Sequence, residues 1–286
     1  FFFKQKTAYE ITYGDWSSDV CSSDLEDITV MEGGLTYLGQ SQNEMLHQQL
    51  HRHTRPLVDP KNVYGISERL GGGCYQGNIH LPPGHELIPL HEGQVEKAVN
   101  ALLDKGVEVI GILFLYSFVD ARHEHQARAI AERVMQARGV SLPVVCSADV
   151  APVSKENNRL KSLLFQCFAA ELVRDSLMSV ETEAKRYGYQ GRLLTLLSYG
   201  GAVNMEYERL YETMISGPIG GLIGAQYIGE KLGLPNIVTA DMGGTSFDVG
   251  LIVNGQPMLQ TVREVGRFHV ALPDRKSTRL NSSHRT

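Results

Sequence analysis

The chain has 286 residues, with 27 Lys and Arg against 32 Asp and Glu, which gives a formal net charge of −5 at neutral pH. This mildly acidic balance offers no basic stripe for nucleic acid or an anionic membrane. No apolar run reaches the roughly 18 residues that a membrane-spanning helix needs, and a chain of this length can bury one or two sizeable cores. We therefore expect a globular protein with neither a nucleic-acid nor a membrane partner.

Both ends of the chain match translated adapter sequence. Residues 4–11 and 15–25, reverse-translated with suitable codons, reproduce a common sequencing-library adapter, and residues 274–284 do the same at the other end. We therefore expect residues 1–25 and 274–286 to be non-native. Without their 6 basic and 5 acidic residues, the expected natural part keeps 21 basic and 27 acidic residues, a net charge of −6.

Cysteine usage predicts reduced thiols. Outside residues 1–25 there remain Cys74, Cys146 and Cys167, an odd number without the CxxC spacing of zinc sites. Disulfides are rare in cytosolic proteins, so this pattern favours free thiols in a cytoplasmic chain over a disulfide framework.

Residues 26–69 are polar and contain three histidines, His47, His51 and His53. His47 and His51 could share one helical face and bind a metal. No Asp, Glu or Cys of matching spacing completes a ligand set, so a solvated polar face is the favoured interpretation.

A glycine cluster follows in the segment RLGGGCYQGN, residues 69–78. Phosphate-binding glycine loops usually lead into a helix whose first amides receive the anion, and no helical pattern follows here. The segment therefore predicts a hairpin or a loop.

An alternation of helices and strands begins after residue 92. The segment EGQVEKAVNALLDKG predicts a helix that ends at Gly106, and VEVIGILFLYS, residues 107–117, predicts a strand buried on both faces. A second helix is expected at about 121–138, ending at Gly139, before the short strand LPVVCS. This order predicts an α/β fold with parallel strand pairing. The residues expected to face inward are Val95, Ala98, Val99, Leu102, Leu103, Ala127, Ile130, Ala131 and Val134.

A long core helix is predicted at about 157–187. Its expected apolar stripe consists of Leu160, Leu163, Leu164, Cys167, Phe168, Leu172 and Leu177. The following segment RLLTLLSYGG, residues 192–201, predicts a buried strand that ends in a glycine turn, a position where α/β sheets place ligands.

The segment VTADMGGTSFDVGLIVNG, residues 238–255, combines glycines, hydroxyls and two acids. We expect strands at 237–240 and 247–253, joined by the turn DMGGTS. Glycine backbones can point several N–H groups at an anion, hydroxyls at Thr245 and Ser246 can donate to phosphate, and Asp241 can hold Mg²⁺ through water. Asp248 could support such a site or simply close the turn. By itself the pattern fits a structural hairpin equally well.

The order of motifs decides between these interpretations. The helix start SGPIGGLIGA, containing Gly220, Gly221 and Gly224, precedes DMGGTSFDV. This order resembles the second phosphate loop of the actin, sugar-kinase and chaperone ATPase superfamily and, more narrowly, the hydantoinase A and 5-oxoprolinase family. The resemblance also covers YGISERL, VEVIGILFLYS and LLSYGG.

The resemblance implies an α/β, actin-like ATPase (ribonuclease H-like) fold, here incomplete, with mixed sheets flanked by helices. It assigns residues 26–92 to the end of the N-terminal region, 93–150 to an α/β segment of the N-terminal lobe, and 151–273 to the start of the ATPase domain. The family's first phosphate loop and its adenosine-binding segment are not found, so we expect the 286-residue chain alone to lack ATPase activity.

The resemblance also implies roles for individual residues. Asp241 is expected to be the catalytic acid and to hold Mg²⁺ through water. ATP is expected to contact a set of residues in the loop and the preceding helix, namely Gly243, Gly244, Thr245, Ser246, Asp248, Gly220 and Gly221.

Three activities remain open from the sequence. The first is ATP-dependent hydrolysis of a cyclic amide, together with a hydantoinase B-type partner subunit. The second is the ATP-using subunit of an acetone or acetophenone carboxylase, which acts on a ketone. The third is a nucleotide-dependent switch without turnover.

Overall fold

The computed structural model describes residues 2–5, 57–76, 79–154, 156–214, 216–243, 246–260, 263–265, 268–270, 274–275 and 277–281. His47, His51 and His53 lie outside the described residues, so their predicted solvated face stays a prediction. The free cysteines of the described part are Cys146 and Cys167, which confirms the predicted thiols at these two positions.

The chain folds into mixed α/β structure. Its α-helices are α1 (Glu92–Asp104), α2 (Arg122–Ala137), α3 (Ser147–Val150), α4 (Glu156–Arg186) and α5 (Ser216–Leu232), and short 3-10 helices span Pro60–Asn62 and Leu210–Thr213. None of the described helices is both long enough and apolar enough to span a membrane.

The strands are short. They are β1 (Phe2–Gln5), β2 (Val63–Ile66), β3 (Arg69–Leu70), β4 (Cys74–Gln76), β5 (Ile79–Leu81), β6 (Glu86–Ile88), β7 (Ile110–Ile112), β8 (Val144–Cys146), β9 (Thr195–Leu196), β10 (Ala202–Val203), β11 (Ile237–Met242), β12 (Ser246–Val253), β13 (Gln256–Pro257), β14 (Leu259–Gln260), β15 (Arg263–Val265), β16 (Phe268–Val270), β17 (Asp274–Arg275) and β18 (Ser277–Asn281). Both segments expected to be non-native contribute strands, since β1 pairs with β2 and β18 pairs with β12.

The chain divides into two compact units. Unit 1 comprises Phe1–Cys167 with Glu264–Val270, and unit 2 comprises Phe168–Arg263 with Ala271–Thr286. The core of unit 1 is built by α1, α2, β7 and β8. The inward face predicted for α1 and α2 is confirmed, with Leu103 and Val134 only partly buried and Val95, Ala98, Val99, Leu102, Ala127, Ile130 and Ala131 buried.

The strands β7 and β8 pair in parallel, with Ile110 opposite Val144 and Ile112 opposite Cys146. This confirms the parallel pairing predicted from the order of helices and strands. The helix ends are also confirmed, because Gly106 and Gly139 follow α1 and α2 with φ of 69° and 65°, a conformation that glycine adopts without strain.

Strand β7 is shorter than the predicted strand at 107–117. The ladder ends where side chains replace strand partners: the Phe114 N–H donates to Glu124 Oε1 at 2.9 Å, and Arg159 Nη2 donates to the Phe114 carbonyl at 2.6 Å. Tyr116 then turns the chain with a φ of 58°. Burial alone therefore did not indicate ladder pairing in this segment.

A buried polar network connects the segments that follow β7 and β8. Ser147 Oγ donates to Glu124 Oε1 at 2.6 Å and accepts from Arg159 Nε at 3.0 Å, while Glu124 Oε2 accepts from the Ala148 N–H at 2.9 Å. Glu124, Ser147 and Arg159 are each 0% exposed. The opposite charges of Glu124 and Arg159 thus balance inside the fold, around one shared hydroxyl.

Helix α4 is a core helix only in its first half. Leu160, Leu163 and Leu164 are buried as predicted, whereas Phe168 is 68% exposed and Leu172 is 67% exposed. The prediction of one continuous core stripe was therefore wrong. The apolar periodicity continues past the point where unit 1 ends at Cys167.

The predicted strand at 192–201 is likewise reduced to a small hairpin. Strand β9 holds two residues and pairs antiparallel with β10, and the turn between them is closed by a hydrogen bond from the Leu197 N–H to the Gly201 carbonyl at 2.7 Å. The glycine turn at its end is confirmed, with Gly200 at a φ of 96°.

We expect Glu124→Ala to lower the free energy of unfolding by about 3–5 kcal/mol, the usual cost of leaving one partner of a buried charge pair uncompensated. Urea denaturation followed by circular dichroism measures the change. The control is Arg133→Ala, which removes a 2.8 Å ion pair with Glu96 whose side chains are 60% and 47% exposed. Its effect should stay within about 1 kcal/mol. Equal effects of the two substitutions would contradict a structural role for the network.

Candidate functional site

The β11–β12 hairpin carries the two predicted acids. Its antiparallel register places Asp241 opposite Asp248 and Met242 opposite Phe247, which confirms the hairpin predicted from the sequence. Gly243 follows β11 and is exposed, and Ser246 begins β12. Gly244 and Thr245 lie outside the described residues, so their predicted phosphate contacts stay predictions.

Asp241 and Asp248 differ in burial although they face each other. Asp241 is exposed near the end of β11, whereas Asp248 is only 7% exposed. Directly opposed residues of an antiparallel pair have Cβ atoms about 4.5–5.5 Å apart, and like charges at such positions are destabilising. On its other side, Asp248 lies opposite Arg279 of β18.

Helix α5 packs closely on one face of this hairpin. A Cβ added at Gly250 would lie 2.5 Å from Thr239 Oγ1 and 2.7 Å from Leu222 Cδ1, and one added at Gly229 would lie 2.3 Å from Ile237 Cδ1. These two glycines therefore set the distance between α5 and the hairpin. Sequence reasoning missed both, although Gly250 is an isolated glycine within a predicted strand, which often marks a close backbone approach.

Two of the glycines predicted to contact ATP, Gly220 and Gly221, lie elsewhere on α5. A Cβ at Gly220 would be 3.2 Å from Leu196 Cδ2, so Gly220 contacts β9. Gly221 and Gly224 are exposed and have open space where a side chain would extend. Of the two α5 glycines assigned to ATP, Gly221 has open space around it, whereas Gly220 packs against Leu196.

A second polar cluster lies next to the β9–β10 hairpin and was not predicted. Glu212, 2% exposed, accepts hydrogen bonds from the Tyr199 hydroxyl at 3.2 Å and the Tyr207 hydroxyl at 2.6 Å, and its carbonyl accepts from the Ser198 N–H at 2.7 Å. Burial and the bond to Glu212 raise the pKa of Tyr207, so its hydroxyl stays protonated and donates. These residues hold the glycine turn in one conformation.

The residues present fit a magnesium ion bound together with phosphate. Among the described residues, no group of three or more His, Cys, Asp or Glu is arranged to hold a metal by itself. Mg²⁺ usually binds one or two carboxylates, several waters and the phosphates of its substrate, and does not need a cage built of protein alone. The exposed Asp241 carboxylate is an oxygen ligand of that kind, whereas Asp248 is only 7% exposed.

Two protein-family models match the chain. "Hydantoinase/oxoprolinase" matches residues 159–280, and "Hydantoinase/oxoprolinase N-terminal region" matches residues 29–135. The acetone carboxylase beta subunit of Xanthobacter autotrophicus is 33% identical over 238 residues, which are 83% of this chain and 32% of that protein. The caprolactamase subunit alpha of Pseudomonas jessenii is 25% identical over 202 residues, 69% of this chain and 28% of that protein.

Solved structures show the same likeness. The nucleotide-free acetone carboxylase structure superposes with a TM-score of 0.75 at 28% identity, over 98% of this chain and 36% of that one. The ATP-dependent caprolactamase from Pseudomonas jessenii superposes with a TM-score of 0.73 at 19% identity, again over 98% and 36%, and shows the fold alone. The chain thus spans about a third of the length of these relatives.

We expect Gly250→Ala to lower the free energy of unfolding by about 1–3 kcal/mol, since the new methyl group overpacks the contact between α5 and the hairpin. The matched control is Gly221→Ala, which adds the same methyl group where space is open. Alanine's higher helix propensity should raise stability there by up to about 1 kcal/mol. Thermal denaturation measures both. A destabilising effect of Gly221→Ala as large as that of Gly250→Ala would contradict the packing described here.

Proposed function

This chain belongs to the hydantoinase/oxoprolinase family, and from that premise we propose that it forms part of an ATP-dependent enzyme whose phosphate-binding loop is residues 241–248. The observation that carries the proposal is the opposition of Asp241 and Asp248 beside the glycine turn, with α5 packed on the same hairpin. The similarity to acetone carboxylase, whose carboxylation reaction is ATP-dependent, supports it.

Each residue of the loop has a role in this proposal. Asp241, exposed at the end of β11, would hold Mg²⁺ through water and would orient the attacking group. The Gly243 and Gly244 backbones and the hydroxyls of Thr245 and Ser246 bind phosphate oxygens. Asp248, buried opposite Asp241, would support the loop from behind, while Gly221 of α5 would leave the ligand room to approach.

The same helix–hairpin arrangement supports an actin-like ATPase fold. In unit 2, a helix rich in small residues precedes the hairpin and packs on it, and β11, β12 and β13 pair in antiparallel order. We propose that unit 2 corresponds to the start of such an ATPase domain. For a cyclic amide, ATP would phosphorylate the poorly reactive carbonyl oxygen, which would then leave as phosphate after water attacks the carbon.

Two substrate classes remain candidates, and each has its own support. Hydrolysis of a cyclic amide is supported by the similarity to the caprolactamase alpha subunit. Carboxylation of a ketone is supported by the similarity to the acetone carboxylase beta subunit, at 33% identity.

Both relatives are named as subunits, which supports a second subunit of the hydantoinase B type as partner. The free thiols of Cys146 and Cys167 support a reducing, cytoplasmic location.

In a protein of the relatives' full length, we expect Asp241→Asn to lower kcat for phosphate release by about 10²-fold or more, the scale of losing a positioned acid or base group. The control is Asp175→Asn, which removes an exposed carboxylate of α4 and should leave the rate unchanged. A near-normal rate for Asp241→Asn would limit Asp241 to a role in turn geometry.

The substrate class follows from which compound stimulates phosphate release in the same full-length protein, purified with its partner subunit. A cyclic amide should raise the rate and give a ring-opened product, whereas a ketone should do so only with bicarbonate. Turnover that neither compound stimulates would overturn both and favour a nucleotide switch. A third, small subunit gene beside two large ones would favour the carboxylase.

A further inference from the structure

Three titratable side chains of unit 1, Glu68, His123 and Glu86, form a hydrogen-bonded triad. His123 lies in the first turn of α2, with its Nδ1 2.8 Å from Glu68 Oε2 and its Nε2 2.8 Å from Glu86 Oε1. His123 is 1% exposed and Glu68 is 0% exposed, so water cannot replace either partner of the first contact. Glu68 and Glu86 are separated from His123 by 55 and 37 residues, so only folding brings the three together.

The two contacts fix the number of protons shared within this triad. A nitrogen and a carboxylate oxygen at 2.8 Å attract each other only when one proton lies between them, because two bare acceptors repel. When both contacts are formed, the triad therefore holds two protons, one on each side of the imidazole ring. Removing one proton must open one of the contacts.

Burial decides which contact opens. The buried Glu68 carboxylate has no contact with water. Its Oε1 has no hydrogen-bond partner among the described residues. The Glu86 side chain is 41% exposed and can exchange His123 for water at little cost. Loss of one proton therefore releases Glu86 and leaves the contact between Glu68 and His123 in place.

Glu86 anchors the stem of the glycine-rich hairpin formed by β4 and β5. It opens strand β6, and within the β3–β6 pair it lies opposite Leu70. The stem is closed by hydrogen bonds from the Gly71 N–H to the His85 carbonyl at 2.8 Å and from the Gly84 N–H to the Gly71 carbonyl at 2.9 Å. Release of Glu86 therefore loosens the base of this hairpin.

The stem also contacts the residues that follow β7. Arg122 Nη2 donates to the Gly84 carbonyl at 2.7 Å, and a Cβ added at Gly72 would lie 2.2 Å from the Tyr116 ring. The hairpin is thus attached at the carboxyl-terminal edge of a parallel strand, where α/β folds commonly bind ligands. Three contacts attach the hairpin: Gly72 packs against the Tyr116 ring, Arg122 donates to the Gly84 carbonyl, and Glu86 contacts His123. Only the contact between Glu86 and His123 depends on a proton.

The charged groups that act directly on His123 are two carboxylates, Glu68 beside β3 and Glu86 on β6. Arg69 and Glu124 act on Glu68, and next to His123 in the sequence Arg122 pairs with Asp120. Burial would lower the pKa of His123, but the hydrogen bonds to Glu68 and Glu86 and their charges raise it, and the upward direction prevails. The proton is therefore held above the pH at which a free imidazole loses it.

We propose that His123 is a proton-controlled latch that fastens the β4–β5 hairpin to α2, closed when both of its ring nitrogens share a proton and opened at Glu86 when one proton leaves. The latch contributes stability below about pH 6.5, the range where a histidine in the unfolded chain is also protonated. That contribution falls as the pH rises through the higher pKa of the folded state. The proposal is independent of the nucleotide site, which lies in unit 2.

Hydrogen exchange of the stem amides tests the latch. Exchange rates of the Gly71 and Gly84 amides are measured on the 286-residue chain at about pH 6 and about pH 9 and divided by the intrinsic rates at each pH. We expect protection to fall by about fivefold at the higher pH, the size of losing one charge-assisted hydrogen bond at a half-exposed position. Unchanged protection between the two values would overturn the proposal.

Two substitutions at Glu86 separate the latch from general pH effects. In Glu86→Gln the amide can accept a proton from Nε2 or donate one to it, so the contact survives at either pH and the pH dependence should disappear. In Glu86→Ala protection should be low at both values. The control His125→Gln removes an exposed histidine on the same helix, paired with Asp149 at 2.9 Å, and should behave like the wild type. Retention of the full pH dependence in Glu86→Gln would overturn the proposal as well.

Discussion

The fold of unit 1 depends on one buried carboxylate. Glu124 sits on α2 and binds the Phe114 and Ala148 amides and the Ser147 hydroxyl, so it joins the ends of β7 and β8 to the helix that covers them. Its charge is tolerated because Arg159 is buried beside it and shares Ser147. A buried charge without such a partner would cost several kcal/mol. The parallel pair, α2 and the start of α4 are therefore held by the same set of atoms.

Next to this network, His123 connects α2 to two further segments of unit 1. Adjacent residues of one helical turn thus serve two different purposes. Glu124 is fully satisfied and independent of solvent, whereas His123 ends in a contact with Glu86 that is 41% exposed. Glu124 therefore makes a permanent attachment, whereas the neighbouring His123 makes one that can be released at Glu86. The difference between the two is the access of water to Glu86.

Unit 2 follows a different constraint, the close packing of α5 on the β11–β12 hairpin. Gly229 and Gly250 bring helix and strands together, and Asp248 is buried on the same hairpin. The sequence predicted this hairpin, its two acids and the helix before it, because each is encoded locally by alternation and glycine placement. It did not predict which glycines pack and which stay open. That depends on which residues of α5 lie against the strands after folding, which no local pattern encodes.

The sequence by itself determined the order of helices and strands, the helix ends at Gly106 and Gly139, the parallel pairing of β7 with β8 and the family. These features depend on spacing along the chain and on backbone conformation. Only the tertiary structure decided which polar side chains are buried together, that Phe168 and Leu172 of α4 are exposed, and where β7 ends. The physical reason is distance: Glu68, Glu86 and His123 meet only after folding, and burial then determines the charge each can carry.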